Sequence, residues 1–395
     1  MLKVFLKNSA LIIAVLLIAL VSIDGLSYAF ISANGLSFFP QYKKNRFQEQ
    51  LNEAVHYFPR GYNVADPVMG FDTQKNASPV AFNMADGSFE IFSNEIGCFD
   101  HHTLAEIKAA KEYDYFAGDS FTWGYGNYAQ NIPSVYEKKS GRFSVKCGII
   151  HSGQQHQFEK FQRTVKLIGS YPKRVILGFY ENDVANDFAY PHTSVIEGYE
   201  VDTLRFDPQR FQLVPRDMEA VRNVILAGLN PKSQSWIVRT DAWLEKYSLS
   251  WNLIQFGIQK AKPQALSTIY AISEGVSYYK GKGYESTDVT KKNRTAIERW
   301  IEDAKTHHYE LIMVLIPPKL HHGNTQFYGG LRDYLDSKQV RFIDLTEPFH
   351  ESGLRSEKLY WMNDGHLHNE GNVFVGEYLA KTIGGANAKS NKKLN

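Results

Sequence analysis

Tyr113-Asp114-Tyr115-Phe116-Ala117-Gly118-Asp119-Ser120-Phe121-Thr122-Trp123-Gly124 is the stretch that decides the fold. Tyr113–Ala117 is a short, mostly apolar run of strand length that stops at a turn signal. A strand that ends in Gly118-Asp119-Ser120 and opens onto glycine-containing sequence has the form of a strand-to-helix turn. Such a turn exposes a serine oxygen at a sheet edge, and neighbouring glycines let substrate approach the backbone. Ser120 would serve equally well as a plain helix cap, so its meaning depends on partners elsewhere in the chain.

Outward from this turn the sequence alternates strand and helix patterns. Phe143–Ile150 and Arg174–Tyr180 read as strands, Glu310–Ile316 as a strongly apolar strand stopped by Pro317-Pro318, and Val340–Leu345 as a fifth. Between them, Phe158–Ile168, Thr290–His307, Leu331–Ser337 and Asn372–Ile383 show helical spacing, and Thr103 suits the cap of a helix over 103–111. Alternation of this kind predicts a three-layer α/β/α domain around a roughly five-stranded parallel sheet, over residues 113–384. Residues 188–285 break the rhythm and are too long for an ordinary βα loop. They are expected to be a mostly helical insertion at the carboxyl edge of the sheet, with helices near 217–226 and 242–260. Residues 36–112 are expected to be a connector and a small irregular β/α region, and 385–395 a disordered polar tail.

Three further patches carry chemistry. Ser152-Gly153 follows the second strand and Glu181-Asn182-Asp183 follows the third, so both belong on the same sheet edge as Ser120. Near the end, Asp364-Gly365-His366 places a carboxylate two residues from an imidazole, and in an extended segment residues i and i+2 point the same way. A serine hydroxyl needs a base to become a nucleophile, and a carboxylate beside that base fixes its tautomer. His368 is the minor alternative to His366 as base.

Gly118-Asp119-Ser120, Ser152-Gly153, Glu181-Asn182-Asp183 and Asp364-Gly365-His366, in that order, resemble the blocks of the SGNH (GDSL-type) hydrolases. The resemblance covers roughly 114–383, with a gap in the middle, and is similar in its final block to membrane-tethered, polysaccharide-modifying members. It departs from the commonest pattern twice: Asp-x-His replaces Asp-x-x-His, and Glu181 stands where a glycine often precedes Asn-Asp. The resemblance implies a flavodoxin-like fold and a catalytic set of Ser120, His366 and Asp364. It also implies an oxyanion site made by the Ser120 and Gly153 N–H groups and the Asn182 side chain, with no cofactor or metal. The implied activity is serine-dependent ester hydrolysis or acyl transfer, on O-acetyl groups of an envelope or exported polysaccharide. A lipid or lysophospholipid substrate is the alternative, and a non-catalytic glycan-binding or scaffold protein is the alternative of another class.

The whole chain has 395 residues, 43% hydrophobic and 22% charged, with a net charge of +2. That mixed balance shows no clustered basic face of the kind nucleic acid requires. Adjacent histidines at 101–102, 307–308 and 321–322 do not have metal-ligand spacing. Two cysteines, Cys98 and Cys147, are too few for a disulfide framework but enough for one bridge in an oxidising compartment. At the N-terminus Lys3 and Lys7 precede the apolar run Ala10–Ile23, which resumes at Leu26–Ile31 after Asp24-Gly25. Residues 1–35 are therefore expected to be an uncleaved membrane anchor that leaves the catalytic domain on the extracytoplasmic side. A cleaved signal segment, with secretion, is the alternative.

Overall fold

The computed structural model describes residues 58–84, 86–207, 212–229, 288–362 and 364–384, with isolated positions elsewhere. The expected anchor, the connector, the helix expected at 242–260 and the tail lie wholly or almost wholly outside the described residues. Among the described residues no helix is long and apolar enough to cross a membrane. The chain divides into two compact units, residues 56–216 with 266–395 and residues 1–55 with 217–265.

The larger unit is built on five strands: β5 (Asp114–Ala117), β6 (Ser144–Lys146), β7 (Arg174–Phe179), β12 (Glu310–Leu315) and β13 (Arg341–Asp344). All four pairings are parallel, and the order across the sheet is β13-β12-β7-β5-β6. This is the flavodoxin-like order, whose direction of winding reverses between its first and third strands. Those strands are β5 and β7. The crevice at their carboxyl ends is where ligands bind in sheets of this type.

Helices cover both faces of the sheet. On one side α4 (Gln154–Ile168), α7 (Asp288–His307) and α8 (Gly329–Ser337) bury Phe161, Trp300, Tyr328 and Leu331 against Val175, Leu177, Met313 and Leu315. On the other side α3 (Ile132–Ser140) and α10 (Asn369–Gly384) pack Tyr136, Val375 and Leu379 onto Phe116, Ile176 and Ile312. Strands β5, β6 and β7 are buried along their whole length, as a parallel sheet covered on both faces requires, whereas the edge strand β13 is only partly buried. Removing one large ring from such a core, for example Phe161→Ala, costs about 3–5 kcal/mol.

The charged residue that opens β5 has a structural role. Asp114 is buried and takes two hydrogen bonds from Arg174, at 2.9 Å each, on the neighbouring strand. Tyr136 donates a third, at 2.7 Å. Burial still pushes the Asp114 carboxyl up, against Tyr136 and the Arg174 guanidinium. The pair ties β5 to β7 and fixes their register at the end opposite the crevice.

Before the sheet lie two hairpins, β1 (Asn63–Asp66) with β2 (Gly70–Thr73) and β3 (Val80–Asn83) with β4 (Ser88–Ile91). Their aromatic side chains Phe71, Phe82 and Phe89 form a third core with Phe58, Trp123 and Tyr125 beside the turn that carries Ser120. The helix α1 (Leu104–Ala109) follows, with Thr103 and Glu106 forming a reciprocal capping box. Cys98 and Cys147 are joined in a disulfide, with Cα atoms 4.7 Å apart, which ties this region to the end of β6.

Several expectations need correction. The second strand ends at Lys146 rather than Ile150, although Cys147 N–H and Ile149 N–H still bond to Phe116 O and Gly118 O at 3.0 and 2.9 Å. Helix α4 begins four residues before Phe158. Its polar first turn hid it, since Gln154 and Gln157 turn inward to donate to Asp183. A helix α5 (Asp183–Ala189) starts directly after Asn182 and was not expected, nor was α9 (Thr346–Glu351). The insertion is not simply helical: β8 (Thr193–Ile196) pairs with β9 (Tyr199–Asp202), and β10 (Leu204–Asp207) with β11 (Gln212–Pro215). In the smaller unit, α6 spans Met218–Leu229, close to the helix expected there.

Candidate active site

Four chain segments converge at the carboxyl ends of β5, β6 and β7. Gly118 has φ of 149°, and a Cβ there would lie 2.1 Å from Thr122 Oγ1, so only glycine lets the turn after β5 close this tightly. Asp119 caps the short helix α2 (Ser120–Trp123) by accepting from Phe121 N–H at 3.0 Å. Ser120 is thereby the first helical residue, and its hydroxyl points to the crevice rather than to the cap.

Ser120 Oγ is 2.7 Å from His366 Nε2. His366 Nδ1 is 2.5 Å from Asp364 Oδ1, and the same oxygen accepts the His366 backbone N–H at 2.8 Å. One carboxylate oxygen thus holds both the main chain and the ring of His366. This is how the Asp-x-His spacing works: the chain bends at Gly365 so that Asp364 folds back beneath the imidazole. Burial pushes the Asp364 carboxyl up. The neighbouring His366, its two hydrogen bonds and the Lys319 ammonium outweigh that, so the carboxyl sits below its usual range.

The imidazole is held between rings. Tyr125 stacks on it at 3.8 Å between centroids, and Phe121 lies at 4.8 Å. The loop that carries it is closed by Trp361 N–H to His366 O at 3.0 Å and by a bridge between Tyr360 and Leu367. Trp361 Nε1 reaches across to Tyr125 O at 2.7 Å, tying the loop to the nucleophile segment.

Gly153 precedes α4 in extended conformation. A Cβ at this position would lie 2.4 Å from Asp187 Oδ1, so a larger residue would displace α5. Asn182 precedes α5 at the end of β7, half-buried. Its side chain lies beside Asp119. Burial pushes the Asp119 carboxyl up to about 6, against the Phe121 N–H, His366 and the Asn182 amide, which hold it down. Asn182 Oδ1 is buried without a hydrogen-bond partner. Behind these residues, Asp183 is fully buried, and burial together with the nearby Asp119 and Asp187 carboxyls pushes it well above its ordinary range. It accepts from Gln154, Gln157 and Tyr180 N–H.

The structure therefore brings Ser120, His366 and Asp364 into one hydrogen-bonded series, with Gly153 and Asn182 in the connections after β6 and β7, each directly before a helix. His368 is not part of it: its Nδ1 accepts from Glu370 and Gly371 N–H, capping α10. Tyr125, Trp361 and Lys319 escape a reading of motifs because their roles depend on a segment more than 190 residues away or, for Lys319, more than 40. His151 was likewise unread. It lies two residues before Gly153 with φ of 49° and pairs with Glu200 of the insertion at 3.0 Å.

No protein-family model matches the chain, and no curated protein matches it. Among solved structures, the chain is similar to a protein described as a lipolytic protein of the G-D-S-L family from Desulfitobacterium hafniense DCB-2. That match has 16% identity and a TM-score of 0.36, over 69% of this chain and 99% of the other. It is also similar to an acetyl xylan esterase, at 13% identity and a TM-score of 0.33, over 69% of this chain and 99% of the other. A third is a carbohydrate esterase family 2 enzyme with a carbohydrate-binding domain from Corynascus thermopiles (Myceliophthora fergusii), at 11% identity and a TM-score of 0.30, over 69% and 65% of the two chains. The strand order of the sheet is the flavodoxin-like one that the resemblance of the four sequence blocks implies.

Proposed function

We propose that the protein is a serine-dependent esterase or acyltransferase. The observation that carries this reading is the continuous series Ser120 Oγ to His366 Nε2 to Nδ1 to Asp364, at 2.7 and 2.5 Å. His366 takes the Ser120 proton as Oγ attacks an ester carbonyl, and Asp364 holds the imidazole in the tautomer that can do so. The Ser120 N–H, at the start of α2, with the Gly153 N–H and the Asn182 side chain, receives the developing oxyanion. Donors aimed at that charge are worth several kcal/mol in the transition state. His366 then returns the proton to the leaving alcohol. Water or a sugar hydroxyl attacks the acyl-enzyme in the second half, giving hydrolysis or transfer.

The substrate is an O-acetylated glycan of the cell envelope or an exported polysaccharide, and the anchored domain works on the extracytoplasmic side. The Cys98–Cys147 bridge favours this compartment, since disulfides persist in oxidising surroundings. The hairpin β8–β9 favours a wall built by the insertion: Glu200 reaches His151, beside Gly153, and takes a 2.7 Å hydrogen bond from Asn63. Labelling by a fluorophosphonate tests the activated serine, with Ser120→Ala as control. Comparison of acetylated oligosaccharides with longer-chain p-nitrophenyl esters tests the substrate. Absence of Ser120-dependent labelling and of ester cleavage would leave the non-catalytic glycan-binding reading in its place, and a preference for long acyl chains would favour a lipid substrate.

A further inference from the structure

Lys319 sits in a short turn after Pro317-Pro318, beyond β12, a strand that contributes none of the four blocks. Its ammonium donates to two consecutive carbonyls, Trp361 O at 2.6 Å and Met362 O at 2.7 Å. Those carbonyls belong to the loop that ends in Asp364 and His366. Tyr360, one residue earlier, donates to Pro317 O at 2.6 Å, so two contacts clamp the loop to the end of β12. Within itself the loop is held by the Tyr360–Leu367 bridge and by Trp361 N–H to His366 O at 3.0 Å.

We infer that Lys319 is a positioning residue: by holding the Trp361 and Met362 carbonyls it fixes the loop that presents Asp364 and His366 to Ser120. A lysine does this where a neutral donor would not. It satisfies two carbonyls at once through its three N–H groups, and it places a positive charge near Asp364. The ionisable groups facing the Asp364–His366 pair are Ser120 and Asp119 from the nucleophile turn, Tyr125 stacked on the ring, and Lys319. Asp119 favours the protonated pair and Lys319 opposes it.

The inference rests on the proposed esterase activity and is tested on the whole protein with p-nitrophenyl acetate, using Lys319→Met and Lys319→Arg. The Met variant should lose at least about tenfold in kcat, since small misplacements of reacting groups cost this much or more, with KM within about twofold. The acid limb of its kcat profile should move to higher pH, because the lost ammonium no longer helps to hold the Asp364 carboxyl down. Arg keeps the charge and the donors and should restore both kcat and the limb. A Met variant with unchanged kcat and limb would overturn the inference. So would a kcat loss with an unmoved limb that Arg does not reverse, which is what a general loss of stability would produce. If the Met variant fails to fold, Lys319→Gln keeps a donor without the charge, and the same shift of the limb is required of it. Wild-type protein without Ser120-dependent cleavage would sink the esterase reading itself, whereas active wild type with a normal Met variant would sink only the role of Lys319.

Discussion

Tyr125 lies flat on the imidazole of His366, with centroids 3.8 Å apart and planes within 3°. Its hydroxyl end is buried near the Asp364, Glu200 and Asp119 carboxyls, and burial with these charges keeps the phenol well above its ordinary range. Tyr125 therefore acts as a neutral face. It restricts the ring to the plane in which Nε2 meets Ser120 and Nδ1 meets Asp364, and in the proposed mechanism its π-face would favour the imidazolium formed during attack.

Tyr125→Leu should therefore lower kcat by roughly tenfold, the scale of an aromatic pair plus a cation–π contact. Tyr125→Phe should stay within about threefold, because the face and not the hydroxyl is used. Steady-state kinetics on p-nitrophenyl acetate decide it. Equal losses in both variants would assign the effect to the hydroxyl.

Ser120→Ala should abolish cleavage of a small activated acetyl ester and labelling by a fluorophosphonate, with an unchanged thermal transition. The side chain is nearly fully buried at 3% exposure but makes no cap hydrogen bond, so its loss leaves the fold intact. Retention of more than a few per cent of the activity in pure mutant protein is incompatible with its role as nucleophile.

Asn182→Ala should reduce kcat by roughly 10²-fold or more with little change in KM, because an oxyanion donor acts mainly in the transition state. A change confined to KM would make Asn182 a binding or turn residue only.

Reduction of the Cys98–Cys147 bridge, or a double change to alanine, should cost about 2–4 kcal/mol of stability. The two cysteines are 49 residues apart, a long loop to close. Denaturant unfolding with and without reductant measures it. An unchanged midpoint would mean that the packing of Phe99 and Trp123 alone holds this region.

His156 is buried against Phe71, and burial pushes its imidazole down to about 3. The folded protein thus binds fewer protons at this site than the unfolded chain between pH about 6.5 and 3. The contribution to stability falls as pH is lowered through that window, by up to about 1.4 kcal/mol per pH unit. His156→Phe removes the titration. Its stability relative to wild type should rise steadily from pH 6.5 downwards in denaturant unfolding, and a constant difference would show that the site does not titrate this way.

Much of the molecule is legible in its sequence alone. Strands such as 174–179 and 310–315 are buried on both faces, so a continuous apolar run is the only sequence that suits them, and their alternation with helices leaves few arrangements open. The Asp364-Gly365-His366 contact was legible too, because it is local: the carboxylate and ring meet within two residues. Helices α4 and α5 were misread or missed where polar residues face inward. Gln154, Gln157 and Asp183 look solvent-exposed in a pattern of hydropathy, yet they satisfy one another in the interior.

Tertiary structure alone decided the rest. The sheet's winding reverses between β5 and β7, and only that order puts Ser120 and Asn182 on either side of one crevice. Ser120 and His366 are separated by 246 positions and have no local preference for their contact, which depends on α10 packing against α3 and on the loop held by Lys319, Tyr360 and Trp361. Local sequence specifies turns and periodicity because its forces act within a few residues. Which distant turns then share an edge is set by the burial of whole faces, a property of the assembled layers.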